Sequence, residues 1–238
     1  MVKKYGNQRR RQMAKRIYFK STPLENKLFE ENFCEFKYYS GFAVSQKQKS
    51  IADLHKNILL AEPEGKILEV STKSPNPLGI RLSAFNLKFY DEFLCKEFFL
   101  ENIFQSAKAF EHGGPYEDLL QVSPRDAKRD DRLKTSGKLI GFYHHSKLWP
   151  LSPPTMFYDW IYMTALSMND ELSNKVVEYN IFTDIEFNHE KSLNCQARAV
   201  AIYVSLKQKG ILREVLQNNN LLIKVYTVKE NNAQQTLF

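Results

Sequence analysis

The sequence predicts a mainly helical α+β fold with a small β component. Three observations lead there. Apolar residues recur at helical spacing in several segments after Phe98, whereas β-prone aromatic runs are confined to the first third and to residues 221–228. A hydrophobic fraction of 43%, with 17 Phe and 12 Tyr in 238 residues, suffices for a packed core.

Taken in order, residues 1–16 read as a basic flexible arm. Residues 17–77 read as an N-terminal elaboration packed on the main domain, since no linker interrupts them, and 78–230 as the main domain. Ile17–Phe19 is a short strand, and Phe33–Val44 is aromatic and β-prone with a bend at Gly41. Lys49–Leu60 places Ile51, Leu54, Ile58 and Leu59 on one helical side. Ile67–Val70 reads as a strand and Ser74–Pro77 as a turn. Glu101–Phe110 is the clearest helix, stopped by Gly113-Gly114-Pro115. Another begins at Ser123, with Pro124 at N1 and Asp126 at N3. Pro153–Met168, Glu171–Tyr179 and Cys195–Lys209 are helical, the last ended by Gly210, and 221–228 reads as a final strand.

The net charge of +7 is concentrated at one end. Residues 1–20 hold eight basic side chains and no acidic one, leaving 26 basic against 27 acidic residues in the remainder. Such a head attracts nucleic acid through its phosphates, and it equally suits a solvated terminus. Cys34, Cys95 and Cys195 are too scattered for a disulfide framework or a zinc motif, which suits a reducing, cytoplasmic compartment. Neither an apolar membrane span nor a secretory signal is expected.

On the Glu101 helix, Glu101, Gln105 and Lys108 fall at i, i+4 and i+7 and so share a face. That spacing holds an acid, an amide and an amine on one rigid element, although a solvated stripe with a mild ion pair has the same spacing.

Three ordered segments carry a resemblance. They are Leu82-Ser-Ala-Phe85, Leu100-Glu-Asn-Ile-Phe-Gln-Ser-Ala-Lys108 and Ser123-Pro-Arg-Asp-Ala-Lys-Arg-Asp-Asp-Arg132. Together they resemble the NADAR superfamily, which includes the YbiA-like N-glycosidases, over residues 78–210. Ser40–Ser50, Leu82–Leu87 and Asn194–Arg198 are most similar to the longer proteins encoded beside DarT-type toxins. The resemblance implies a compact helical domain without a cofactor or metal that hydrolyses N-glycosidic bonds. It implies Glu101 and Lys108 as catalytic residues and Arg132 as a substrate contact, with Ser83, Phe85 and Gln105 in the motifs. For the toxin-linked relatives it implies removal of ADP-ribose from guanine in DNA, with ADP-ribosylated DNA and a DarT-type toxin as partners. Other relatives act on a phosphoribosylamino-pyrimidine of riboflavin biosynthesis, and a non-enzymatic antitoxin that binds ADP-ribose or nucleic acid is a third reading. The chain departs from the family pattern at Asp131, where Gly is usual, and at Ala84, where Asn is usual.

Breaking such a bond builds positive charge at the ribose C1′ and negative charge on the departing base. A carboxylate stabilises the first or activates water. Lys108 serves as an acid or hydrogen-bond donor or, once deprotonated, attacks C1′ and forms a Schiff base. Arg125, Lys128, Arg129 and Arg132 could lower its pKa and bind diphosphate. For a second carboxylate, Asp184 is the first choice and Glu186 an alternative on the same strand side. Asn194, Gln196 and Arg198 open the last long helix and face a nucleotide in this reading, Arg198 being equally suited to a salt bridge. Phe85, Tyr143 and Trp149 offer stacking surfaces near turns or motifs. His144-His145 lacks a carboxylate or cysteine at ligand spacing and reads as a structural or solvated pair.

Overall fold

The computed structural model describes residues 13–24, 27–190, 192–218, 220–224 and 226. Strands β1 (Met13–Leu24) and β2 (Lys27–Lys37) form a long antiparallel hairpin with Ile17 opposite Phe33. Alternation along β1 sends Tyr18 to one face and Ile17 and Phe19 to the other, and both faces are covered. On the Tyr18 face lies α1 (Val44–Ala61), which buries Ile51, Leu54 and Ile58. Each of these side chains contributes roughly 2 kcal/mol of burial.

Strand β3 (Ile67–Glu69) runs parallel to β9 (Ile181–Thr183), and β9 pairs antiparallel with β1, giving the order β2-β1-β9-β3. The N-terminal region therefore shares a sheet with an element from far along the chain. Residues 1–12 of the expected arm lie outside the described residues, but 13–16 belong to β1. The β component is larger than the short strand at Ile17–Phe19 suggested.

Between these come α2 (Pro77–Arg81), the hairpin β4 (Lys88–Asp91) and β5 (Lys96–Phe99), and α3 (Leu100–Ser106). Next are β6 (Lys108–Phe110), a 3-10 turn over Glu117–Gln121, α4 (Pro124–Arg129) and α5 (Arg132–Thr135). The hairpin β7 (Leu139–His144) and β8 (Lys147–Trp149) continues the β6 sheet. Helices α6 (Met156–Ser167), α7 (Asp170–Val176), α8 (Gln196–Gln208) and α9 (Leu212–Gln217) complete the fold. Helices α6 and α8 run through the core and are buried nearly all round: Ile161, Tyr162, Leu166, Val200, Val204 and Leu206 are inaccessible. The result is a mixed α+β fold of the expected class.

Several local signals hold as read. Ser123 Oγ accepts the Asp126 amide at 3.2 Å and donates to Asp126 Oδ2 at 2.6 Å, closing the start of α4. Gly210, at φ 72°, follows α8 in the left-handed conformation.

The sheet of β6, β7 and β8 lies in a stretch where no strand is expected, and two expected elements differ. The helix at Glu101 stops at Ser106, and Lys108 begins a strand. No breaker marks that point; pairing with a distant strand decides it, because the Ala107 carbonyl accepts the Tyr143 amide at 2.7 Å and Lys108 lies opposite Phe142. Residues 221–224 are helical instead of extended, with the Leu221 and Leu222 amides both donating to the Asn218 carbonyl. A short apolar run suits either element, and here local bonding wins. Residues 225, 227 and 228 of that expected strand lie outside the described residues. Among the described residues, no helix is long and apolar enough to cross a membrane.

Candidate active site

The N-terminus of α3 is tied to the Leu82–Leu87 segment. The Glu101 amide donates to the Ala84 carbonyl at 3.0 Å, and the Leu100 amide to the Leu87 carbonyl at 2.9 Å. Across the segment, Ala84 N donates to Gln196 Oε1 at 2.9 Å and the Tyr162 hydroxyl to the Leu82 carbonyl at 2.5 Å. Three elements distant in sequence (the loop, α3 and the start of α8) are thereby fixed to one another.

Glu101 is only 4% exposed. Its Oε1 accepts Gln105 Nε2 at 2.8 Å and lies 3.7 Å from Lys128 Nζ. Lys128 also sits 5.0 Å above the Phe85 ring. Gln105 Oε1 is buried with no hydrogen-bond partner among the described residues. The Lys108 ammonium lies 4.8 Å from the Phe104 ring centroid. Burial is the main cause that brings the Lys108 pKa down to about 8; the Glu101 charge opposes it and the Lys128 charge reinforces it. Although Lys108 has left the helix, it thus stays within electrostatic reach of Glu101.

Tyr158 of α6 packs edge-on against Phe104 with ring centroids 5.0 Å apart. Its hydroxyl pKa is held well up, first by burial and then by the charges of Glu101 and other neighbours including Asp184. Asp184 is buried just after β9, accepting the Glu186 amide at 3.0 Å and hydrogen-bonding Gln196. Burial, then the Glu69 charge, holds its carboxyl well above the ordinary range. Glu186 does not share this site; it turns outward and pairs with Lys47 at 3.2 Å. Glu69 is itself buried, with Ser71 Oγ, Thr183 Oγ1 and the Ile185 amide all donating to it.

The fold therefore gathers Phe85, Glu101, Gln105, Lys108 and Asp184 with Lys128, Tyr158 and Gln196. Other expected site residues have different surroundings. Ser83 is buried, donates to the Ile80 carbonyl and accepts from Asn86 Nδ2, so it shapes the loop. Trp149 is 1% exposed and packs against Trp160 in a tilted arrangement with centroids 4.7 Å apart, so its ring is enclosed by the core. Tyr143 is exposed but follows Phe142, the residue opposite Lys108, so it points to the other face of that sheet. Arg132 is on the surface, its guanidinium held by Asp118 and Asp130 and lying 4.4 Å from the Tyr116 ring centroid. Arg198 makes an ion pair with the wholly buried Asp159, which also accepts the Tyr226 hydroxyl at 2.7 Å. Asn194 is half-buried just before α8.

Sequence reasoning did not single out Tyr158 or Glu69. Tyr158 hides in an aromatic run that reads as core. Glu69, however, is an acid inside the apolar strand Ile67–Val70, and a buried carboxylate follows from that pattern.

An open groove of about 1060 Å³ lies elsewhere, lined by Trp160 and Thr164 of α6 and by Met168 just after it, among others, and by none of Glu101, Lys108 and Asp184. Tyr158 and Tyr162 are on the opposite side of α6 from Trp160 and Thr164.

A family model described as the DarT1-associated NADAR antitoxin matches residues 14–236, from β1 through to the C-terminal segment. No curated protein matches the chain significantly in sequence.

Proposed function

The chain belongs to the DarT1-associated NADAR antitoxin family, and from that premise we propose that it is a glycohydrolase that frees guanine in DNA from ADP-ribose. It thereby reverses the modification made by a DarT-type toxin.

The observation that carries this reading is a half-buried amine within electrostatic reach of a buried carboxylate. With its pKa lowered to about 8, Lys108 is neutral in an appreciable fraction of molecules near neutral pH, and a neutral amine is a nucleophile. In the proposed reaction Lys108 Nζ attacks the ribose C1′, and the C1′–N bond to guanine breaks with its electron pair passing to the base nitrogen. Glu101 stabilises the positive charge at C1′ and carries the proton shed by the attacking amine to that nitrogen. The C1′–O4′ bond then breaks, its electron pair and the remaining amine proton going to O4′, and water hydrolyses the resulting Schiff base to ADP-ribose and free Lys108.

Gln105 orients Glu101 through its 2.8 Å hydrogen bond. Lys128 and Phe85 form the outer edge, a cation for phosphate oxygens and an aromatic face for a base. Asp184, held largely protonated by burial and the Glu69 charge, is a hydrogen-bond donor to ribose hydroxyls. The eight basic side chains among residues 1–20 add sequence-independent attraction to DNA.

The test is to incubate the protein with a guanine-ADP-ribosylated oligonucleotide, beside a phosphoribosylamino-pyrimidine, and detect products by mass spectrometry. ADP-ribose release from the oligonucleotide is expected, with Glu101→Gln folded and inactive. Folded wild-type protein that releases none, or that turns over the pyrimidine alone, sinks the proposal. Protection from the toxin that survives loss of both Glu101 and Lys108 points instead to a binding antitoxin.

A further inference from the structure

Asp91, His144 and His145 stand outside the candidate active site, and the proposed reaction uses none of them. Asp91 ends β4, and His144 ends β7 opposite Lys147 of β8. The two residues between, His145 and Ser146, have φ of 49° and 58°. A two-residue hairpin turn with both φ positive favours Asn-Gly, so a histidine and a serine there carry backbone strain. The conformation has a consequence for the side chains. Successive residues of a strand point to opposite faces, yet here the two imidazoles lie side by side with centroids 4.0 Å apart.

Asp91 meets them from the neighbouring hairpin. It is 2% exposed, with Oδ1 accepting the Leu94 amide at 2.9 Å and Oδ2 lying 3.0 Å from His145 Nε2. One nitrogen from each imidazole and one Asp91 oxygen all lie within 4.8 Å of one another. His144 packs edge-on against Phe89 and Trp160, and its Nε2 is buried without a hydrogen-bond partner among the described residues. The open groove reaches both histidines, which gives a path of entry.

We propose that Asp91, His144 and His145 form a three-ligand site for a divalent transition-metal ion of the zinc class, clipping the β4–β5 hairpin to the β7–β8 hairpin. Two imidazoles and one carboxylate suit zinc, cobalt, nickel and copper, whereas magnesium and calcium take oxygen ligands. Metal–ligand bonds of about 2.1 Å put tetrahedral donors about 3.4 Å apart. The cluster therefore needs a contraction of up to about 1.4 Å from its present 4.8 Å spread, toward which the exposed His145 ring can move. The Leu94 amide fixes one carboxylate oxygen and leaves the other for the ion. The fourth position opens on the groove, to water or a small ligand.

The experiment uses untagged full-length protein stripped with a chelator. Zn²⁺ is titrated by calorimetry and Co²⁺ by visible absorption. One equivalent of each is expected per chain, with a tetrahedral cobalt spectrum and a rise in Tm on zinc addition. His145→Asn keeps the left-handed turn, which asparagine tolerates, and weakens binding by at least about tenfold. Asp91→Asn preserves the acceptor for Leu94 and serves the same purpose should the first variant misfold. Absence of saturable one-to-one binding, or unchanged affinity in a folded variant of either kind, overturns the proposal.

Discussion

Lys128 Nζ lies 3.7 Å from Glu101 Oε1 and 5.0 Å from the Phe85 ring centroid. Helix α4 thus holds an exposed cation over a nearly sealed carboxylate, and the same charge pushes the Lys108 pKa down. Replacing Lys128 with Met removes that like charge. The Lys108 pKa then rises, modestly because Lys128 is solvated and is the smallest of the three causes. The pH–rate profile of Lys128→Met shifts upward accordingly, and KM for the modified oligonucleotide increases. An unshifted profile with unchanged KM removes Lys128 from the site.

The profile of the wild type follows from Lys108 itself. An amine whose pKa has fallen to about 8 gains its neutral form as pH rises through that value. At pH 7 about one molecule in ten carries the free amine, against roughly one in three thousand for an ordinary lysine. The first-order rate under single-turnover conditions therefore rises from pH 6.5 to 8.5, with a midpoint near 8. A rate that falls over that range assigns Lys108 as an acid or hydrogen-bond donor instead.

Arg198 gives a prediction of a different kind. Its partner Asp159 is wholly buried, so Arg198→Met strands a carboxylate in the core and lowers stability by about 3 kcal/mol. Pairing it with Asp159→Asn recovers part of that loss. Chemical denaturation measures both variants. Unchanged stability with a raised KM would return Arg198 to the substrate.

Gly114 supports Lys108 from behind. It has φ +79°, and a Cβ there would lie 2.2 Å from the Lys108 carbonyl oxygen. Gly114→Ala must displace the strand that carries the amine. Its expected cost is about 1–3 kcal/mol, with turnover falling more than binding. Thermal melts and single-turnover rates check this together.

These residues also show what can be read from sequence. Glu101 and the α4 start are legible because capping and motif signals are local. Lys108 is assigned to the right neighbourhood but the wrong element: Ser106-Ala-Lys-Ala-Phe110 contains no breaker, and the bond that ends the helix comes from Tyr143. The partners of Trp149 and Arg198 cannot be read from sequence, because burial against Trp160 and Asp159 is a property of the whole fold. Asp184 is legible as an acid between elements, while its coupling to Glu69 depends on the parallel pairing of β3 with β9. The His144-His145 pair looks partnerless in sequence, since its carboxylate arrives from another hairpin.

Borohydride trapping during turnover tests the covalent role of Lys108 most directly. Reduction of the protein with guanine-ADP-ribosylated oligonucleotide, followed by peptide mapping, is predicted to leave ADP-ribose on the peptide containing Lys108. The adduct should be absent without substrate and in Lys108→Met. ADP-ribose release with no trapped adduct, or an adduct on a different lysine, would contradict the account.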